Sequence, residues 1–329
     1  MISVSGVCRQ LTKSKPFLSR IPLLCAVLLI GGMVSAADVF QNPEIIFPEA
    51  AAIAAGSLLT PQLAWRTDSL RTFVSIAVSA VLGLCTVLWV PGAVWLQMSA
   101  AYLLASVLYL LSRTGFAPMI SAAVLPVLLQ TESPVYPVAA CVLTAAVLWM
   151  RRLLVRWGVR SDVKFEKLPA PDADSVLQML VRWLIASAVI FAAIKSGFRY
   201  AAAPPLLVAF TEFWKPEAVS RRRPAAVILL VTLSALCAAG IRYLLCVYLS
   251  LAPGLAAALT VPAVYFLMKR LSLMLPPAAA AAVLAFLIPE AALGLFPVQV
   301  FCGISVFVGA SYLYRCSAVR RRAALRKAV

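Results

Sequence analysis

Long apolar runs alternate along the chain with short clusters of basic residues. An apolar run of about 20 residues is long enough to cross a bilayer as an α-helix, and most of the runs reach or approach that length. The pattern therefore predicts an all-α polytopic membrane protein with about 12 transmembrane helices, some of them short or broken. The predicted spans cover residues 18–38, 44–59, 71–90, 94–112, 117–130, 136–154, 176–195, 200–214, 224–248, 253–269, 275–289 and 294–314.

The composition excludes a soluble enzyme. Of the 329 residues, 63% are hydrophobic and only 12% are charged, with a mean hydropathy of +0.97. So small a charged fraction cannot cover a water-soluble protein of this size. Histidine is absent from the sequence, which removes the common catalytic triads and every metal site that contains histidine. We therefore expect no enzymatic activity, no cofactor and no metal.

Most of the basic residues fall on alternate loops and in the two terminal segments, and the formal net charge is +17. Short cytoplasmic loops carry the excess of Lys and Arg in membrane proteins. This predicts a multi-pass protein of the cell membrane, of the bacterial inner-membrane type, with both termini cytoplasmic. Its partners are then membrane lipids and not nucleic acid. The cytoplasmic loops hold Arg66 and Arg71, then Arg113, then Arg151, Arg152, Arg156, Arg160, Lys164 and Lys167, then Lys215, Arg221, Arg222 and Arg223, then Lys269 and Arg270.

Four basic residues lie neither in those loops nor in the two terminal segments. Lys195, Arg199 and Arg242 fall on the outer side, against the rule. Arg182 lies near the start of the seventh span, and we expect its long side chain to extend toward the cytoplasmic surface.

A polar stretch, residues 161–175, divides the chain into two halves and contains four of the twelve acidic residues. Fifteen residues are too few for a core of their own. We expect a first six-helix repeat (1–160), a cytoplasmic linker (161–175), a second six-helix repeat (176–315) and a basic cytoplasmic tail (316–329). The N-terminal residues mimic a signal peptide, but a basic segment before the first helix is also typical of a polytopic chain, so we expect no cleavage.

Landmark residues recur in the two halves at a nearly constant separation. Because each half contains an even number of predicted spans, both halves have the same orientation and the repeat is parallel. The alternative is that alanine-rich helices resemble one another by composition alone. The matched pairs, 155 to 160 residues apart, are Pro61 and Pro216, Arg66 and Arg221, Glu132 and Glu290, and Pro137 and Pro297.

Four of the predicted helices are short and carry proline at or near their start. Residues 45–59 offer about 22 Å of helix against a hydrocarbon core of about 30 Å. Proline favours the first turn of a helix, so these segments resemble half-helices whose N-terminal N–H groups lie inside the membrane and favour an anion. The alternative is that they are short packing helices. The candidate substrate path consists of Pro48, Glu49, Pro118, Pro204, Pro205, Glu212, Pro276 and Pro277.

Glu49 is the carboxylate that lies deepest in a predicted span. A carboxylate inside the bilayer is costly unless it is paired, hydrated or protonated. One hypothesis is therefore that Glu49 belongs to a proton relay. The alternative places Glu49 at the outer surface beside Glu44.

One stretch of the second half is Leu275-Pro276-Pro277-Ala278-Ala279-Ala280, preceded by Met268-Lys269-Arg270 and followed by Glu290 and Phe296-Pro297-Val298. It resembles the signature of the HPP family of integral membrane proteins. Leucine stands at position 275, where that family has histidine. Membership implies a membrane protein of poorly characterised activity, with nitrite transport proposed for some plant members. The predicted six-plus-six arrangement more weakly resembles fusaric-acid-resistance and aromatic-acid-exporter proteins, which usually carry a larger cytoplasmic portion.

We therefore expect a secondary transporter or channel for a small anionic solute, with its path between the two repeats. The chain contains no phosphate-binding G-x-x-x-x-G-K-[ST] sequence, so it has no P-loop of its own. Two alternatives are an exporter of aromatic or amphipathic organic acids and a non-transporting membrane scaffold subunit. Association into a homo-oligomer is left open by the sequence.

Overall fold

The computed structural model describes residues 20–60, 63–162, 165–215 and 218–327, with the backbone alone at 219 and 315–327. Within these residues the regular elements are all helical and no strand occurs, which confirms the all-α prediction. The α-helices are α1 (Ile21–Val39), α2 (Glu49–Ala54), α3 (Ser69–Trp89), α4 (Val94–Ser112), α5 (Pro118–Leu129), α6 (Val135–Arg156), α7 (Ala173–Lys195), α8 (Pro204–Phe213), α9 (Pro224–Arg242), α10 (Pro253–Arg270), α11 (Pro276–Leu284), α12 (Glu290–Leu293) and α13 (Phe296–Lys327).

Seven helices in the described residues are long and apolar enough to cross a membrane: α1, α3, α4, α6, α7, α9 with its π-helical extension to Tyr248, and the part of α13 up to Tyr314. Their outward faces expose large apolar side chains. Leu28 is 62% exposed, Leu111 66% and Val142 61%. Apolar surface on this scale is typical of a membrane-facing protein, so the helices are those of a multi-pass membrane protein.

Helix starts follow local chemistry. Asp68 and Asp172 cap α3 and α7, because their carboxylates accept from the backbone N–H three residues later. Proline instead occupies the first turn of α5, α8, α9, α10 and α11, where its missing N–H costs no hydrogen bond and its fixed φ suits a helix.

Four short helices form the centre of the molecule. Helix α2 packs against α5 and α11, and α8 packs against the same two, so the four close into a ring. Helices α5, α8 and α11 contain 12, 10 and 9 residues, and α2 continues as a π-helical turn, Ala55–Leu59. At 1.5 Å per residue these helices are roughly 14 to 18 Å long, about half of the hydrocarbon core. We call them the central ring.

The long helices surround this ring and connect the halves. Helix α1 packs against α10, and α4 packs against α7. In the first contact a Cβ on Gly254 would lie 2.9 Å from the Gly31 carbonyl oxygen, so the two backbones approach closely because neither residue has a side chain. In the second contact the hydroxyls of Ser99 and Ser187 lie 2.6 Å apart.

Basic side chains gather at one end of the molecule, which we call the basic end. The Lys215 amine donates to the Gly115 carbonyl at 2.8 Å, and the Arg223 guanidinium donates to the Leu271 carbonyl at 2.8 Å. Loops predicted on the same side therefore lie together. The opposite end carries Asp38, Glu132 and Glu290.

The helix limits differ from the predicted spans mainly in the short segments. The span predicted at 44–59 begins with a 3-10 turn, Pro43–Ile45, and becomes helical only at Glu49, while the span at 275–289 ends as an α-helix at Leu284. At the other extreme, α13 continues to Lys327, so the predicted tail 316–329 begins inside this helix. Some predictions fall outside the described residues. They concern the start of the first span at 18, the part of the signal-peptide-like segment up to 19, and the residues Pro61, Lys164 and Pro216.

Candidate functional site

A cavity of about 1360 Å³ opens at the basic end, between the two halves of the chain. It ends at the central ring, where Glu212 of α8 and Pro276 of α11 form part of its wall. Its lining joins polar groups with aromatic rings. The residues of the wall that matter below are Trp65, Tyr109 and Arg113 from the first half, Asp162, Glu166 and Leu168 from the linker, and Arg182, Glu212, Trp214 and Lys215 from the second half.

Arg182 is the unusual group of this cavity. Its side chain belongs to α7 and is only 7% exposed, and its Nε has no hydrogen-bond partner. Its guanidinium carbon lies 5.9 Å from the Tyr109 ring centroid, within the range of a cation–π contact. No described carboxylate forms an ion pair with it. A buried cation without a counterion is costly, so the guanidinium is available to an anion in the cavity.

The position of Arg182 corrects the sequence interpretation. We expected the side chain to extend to the cytoplasmic surface, but it is buried in the cavity wall. The sequence did carry a signal for this position, because Arg182 is a charged residue inside an otherwise apolar span. An intramembrane charge faces the interior of a bundle or a water-filled cavity by default.

Glu212 connects the second half to the first at the base of the cavity. The indole N–H of Trp65 donates to Glu212 Oε1 at 2.6 Å, and Lys215 Nζ lies 3.9 Å from the same oxygen. Lys215 in turn donates to the Gly115 carbonyl. Glu212 is 8% exposed and Trp65 5%, so the indole has an acceptor that water could not easily replace.

We expect Glu212→Ala to destabilise the protein by about 1 to 3 kcal/mol, because it leaves the buried indole N–H of Trp65 without an acceptor. The Glu212→Gln variant should lose much less, since the amide oxygen can still accept from the indole. Thermal unfolding in detergent, followed by tryptophan fluorescence, compares the two. Equal losses in both variants would show that the charge opposite Lys215, and not the indole hydrogen bond, holds the halves together.

The linker lies across the mouth of the cavity. The amide of Leu168 donates to the Arg113 carbonyl at 2.9 Å, and Arg113 Nε donates to the Leu168 carbonyl at 2.6 Å. At its end, the hydroxyl and the amide of Ser175 both donate to Asp172, which lowers the pKa of this exposed carboxyl and keeps it ionised. The predicted connector is therefore also part of the cavity wall.

Arginines cap the C-terminal ends of three helices of the central ring. A broken helix leaves its last carbonyl groups without partners, and a cation satisfies them with favourable charge. Arg199 and Arg242, the two outer arginines that break the positive-inside pattern, both serve this purpose. In the π-helical turn after α2, Arg151 donates to the Ser57 carbonyl at 2.6 Å and Arg160 donates to the Leu58 carbonyl at 2.7 Å. Arg199 donates to the Leu128 carbonyl at the end of α5. After α11, Arg242 donates to the Ala285 carbonyl and, at 2.7 Å, to the Ile288 carbonyl.

The predicted path residues fall into two groups. Glu212 and Pro276 line the cavity. The other six lie in or at the start of the central ring, where they are enclosed by packing and do not reach the cavity wall. These are Pro48, Glu49, Pro118, Pro204, Pro205 and Pro277. Sequence reasoning missed the roles of Trp65 and Tyr109, because an aromatic residue in an apolar chain is not distinctive.

The described residues contain no cluster of three or more His, Cys, Asp or Glu side chains that could hold a metal ion. Comparison with known proteins identified no matching family, no similar curated protein and no similar solved structure.

Proposed function

We propose that the chain is a secondary transporter for a small anionic solute, with its binding site in the cavity between the two halves. The observation that carries this proposal is the buried, uncompensated guanidinium of Arg182 in the cavity wall. A cavity that is open at one end and limited by a closely packed ring at the other is the form expected of one state in an alternating-access cycle.

The basic end is, in this proposal, the cytoplasmic side of the cell membrane, and both termini lie there. The excess of Lys and Arg supports this orientation. The hydrogen bonds at the basic end give further support, because they join loops that the charge pattern assigns to one side. The cavity is then open to the cytoplasm, and the conformation is inward-facing.

The proposal also includes a parallel repeat of six helices. Matched packing supports it. Helix α3 contacts α5 and α6 in the first half, and its counterpart α9 contacts α11 and α13 in the second half. Between the halves, the contact of α1 with α10 matches that of α7 with α4, and the contact of α2 with α11 matches that of α8 with α5. The aromatic pair Phe47–Tyr136, with centroids 6.0 Å apart, likewise matches Tyr200–Phe296 at 5.8 Å.

The resemblance to the HPP family stays a prediction. Pro276 and Pro277 of the signature begin α11, and Leu275, which stands at the histidine position, is a buried residue of the cavity wall. A histidine there would place an ionisable group beside the solute. Its replacement by leucine makes Arg182 and Lys215 the basic groups on which anion binding in the second half depends.

A second candidate, an exporter of aromatic organic acids, is favoured by the rings in the cavity wall. Trp65, Tyr109 and Trp214 all line it. A solute with an aromatic body and one acidic group could stack on such rings while Arg182 binds the acid.

Uptake into proteoliposomes tests the proposal and separates the two candidates. We would compare nitrate, methanesulfonate and benzenesulfonate, which stay ionised and so do not leak across the bilayer as neutral acids. Protein-dependent uptake of nitrate or methanesulfonate supports a small-anion transporter, and selective uptake of benzenesulfonate supports the aromatic-acid exporter. Uptake equal to that of protein-free liposomes for all three contradicts transport and favours a scaffold.

A further inference from the structure

Glu49 has no role in anion binding, yet it is the most enclosed carboxylate of the described residues. It is 1% exposed and begins α2 in the central ring. Ser121 of α5 donates to its Oε1, and its Oε2 has no hydrogen-bond partner. The alternative position at the outer surface, considered from the sequence, does not fit this enclosure.

The elements packed against α2 offer Glu49 no counterion. Helices α5 and α11 carry no ionisable side chain. On α6 the nearest ionisable group is Tyr136, whose hydroxyl donates to the Ala122 carbonyl at 2.9 Å and not to Glu49. The Arg151 guanidinium of α6 is hydrogen bonded to the Ser57 carbonyl, in the π-helical turn that follows α2. The remaining ionisable groups on these elements are Cys25 and exposed Asp38 of α1, Glu44 of the preceding 3-10 turn, and Cys141, Arg152 and Arg156 of α6.

An ionised carboxylate that is 1% exposed, with no cation beside it among the described residues and no donor to one of its oxygens, has a raised free energy. Binding one proton removes the charge. We propose that Glu49 is a proton-binding site, occupied in the inward-facing conformation, through which proton binding is coupled to anion transport. This inference rests on the proposed function for its coupling role, but the presence of the proton does not depend on transport.

The position of Glu49 supplies a route for the proton. The residue follows directly on the loop at the opposite end. The edge-to-face pair Phe47–Tyr136, with both side chains fully buried, joins the residue two positions before Glu49 to the start of α6. Separation of this pair would admit water to Glu49, where the carboxylate exchanges its proton with the outer solution. When the pair closes, the carboxyl group is again neutral and dehydrated.

The central ring connects this site to the anion cavity. Ser121 belongs to α5, which packs against α8, and α8 carries Glu212 in the cavity wall. Loss of the proton places a charge between α2 and α5 and favours a conformation in which water reaches Glu49. Protonation and the direction in which the cavity opens are therefore linked through the same four helices.

Infrared difference spectroscopy on the purified full chain tests the proton site without any solute. Wild type should show at neutral pH a protonated-carboxyl C=O stretching band that Glu49→Gln lacks. Ser121→Ala should shift this band, because it removes the hydrogen bond. The matched control Glu290→Gln replaces an exposed carboxylate and should leave the band unchanged. If the spectrum of wild type minus that of Glu49→Gln contains only the bands of an ionised carboxylate, the proposal is overturned.

An uptake assay with a proton gradient tests the coupling, with whichever of the three anions wild type takes up fastest. A gradient across the proteoliposome membrane should change the initial rate in wild type and in Glu290→Gln, and Glu49→Gln should lose this response. An unchanged response in Glu49→Gln overturns the coupling role. If wild type takes up none of the three anions, the proposed function fails and the coupling role with it, while the infrared result still decides the proton site.

Discussion

We expect the Arg182→Gln variant to take up anions about tenfold or more slowly than wild type at low solute concentration. A hydrogen bond to a charged group contributes about 1.5 to 3 kcal/mol, and each 1.4 kcal/mol corresponds to a factor of about ten. The guanidinium has no described counterion to lose, so its removal should weaken anion binding without breaking an ion pair. Initial rates of uptake in proteoliposomes measure the effect.

Two further variants make this result specific. Arg182→Lys keeps the positive charge and should retain part of the uptake, although an ammonium cannot bind an oxyanion in the bidentate manner of a guanidinium. Arg152→Gln removes an exposed charge from α6, away from the cavity wall, and should behave as wild type. Normal uptake by Arg182→Gln would exclude this side chain from the solute site.

The Gly303→Ala variant should be one of the least stable of the variants that add a single methyl group to the chain. A Cβ at position 303 of α13 would lie 2.0 Å from the carbonyl oxygen of Ala201. That oxygen belongs to the backbone of a 3-10 turn, Arg199–Ala202, which cannot rotate away as a side chain can. Overpacking of this kind costs about 1 to 3 kcal/mol, and the midpoint of thermal unfolding in detergent should fall accordingly.

Gly309 of the same helix is the matched control. No atom lies within 4 Å of a Cβ built there, so alanine gains helix propensity and Gly309→Ala should be neutral or slightly stabilising. Equal effects of the two substitutions would mean that α13 does not pack closely against the turn before α8.

The positions of the helices could be predicted from the sequence, because two strong local signals agree along this chain. Apolar length identifies the long helices, and proline marks the first turn of α5, α8 and α11. The limits of the short helices were harder to predict. The chain before Glu49 is apolar but not α-helical, and hydropathy cannot distinguish an apolar helix from an apolar extended segment.

The candidate site was only partly predictable, because its contacts join distant parts of the chain. The Trp65–Glu212 hydrogen bond spans 147 residues, and no local pattern predicts such a pair. The arginines show the same limit. The number of basic residues in each loop predicts how the chain is oriented in the membrane. The hydrogen bonds of the arginines to the ends of the ring helices depend instead on where those helices end. Arg199 and Arg242 therefore appeared as exceptions until their acceptors were known.

The central ring bears on the energetics of a charged solute in the proposed transporter. The cavity opens one face of the ring to water, so a large part of the membrane potential would fall over the closely packed ring. An elementary charge that crosses a potential difference of 100 mV gains or loses about 2.3 kcal/mol. An anion and a proton that cross this layer together carry no net charge through it, so the voltage neither drives nor opposes their joint passage.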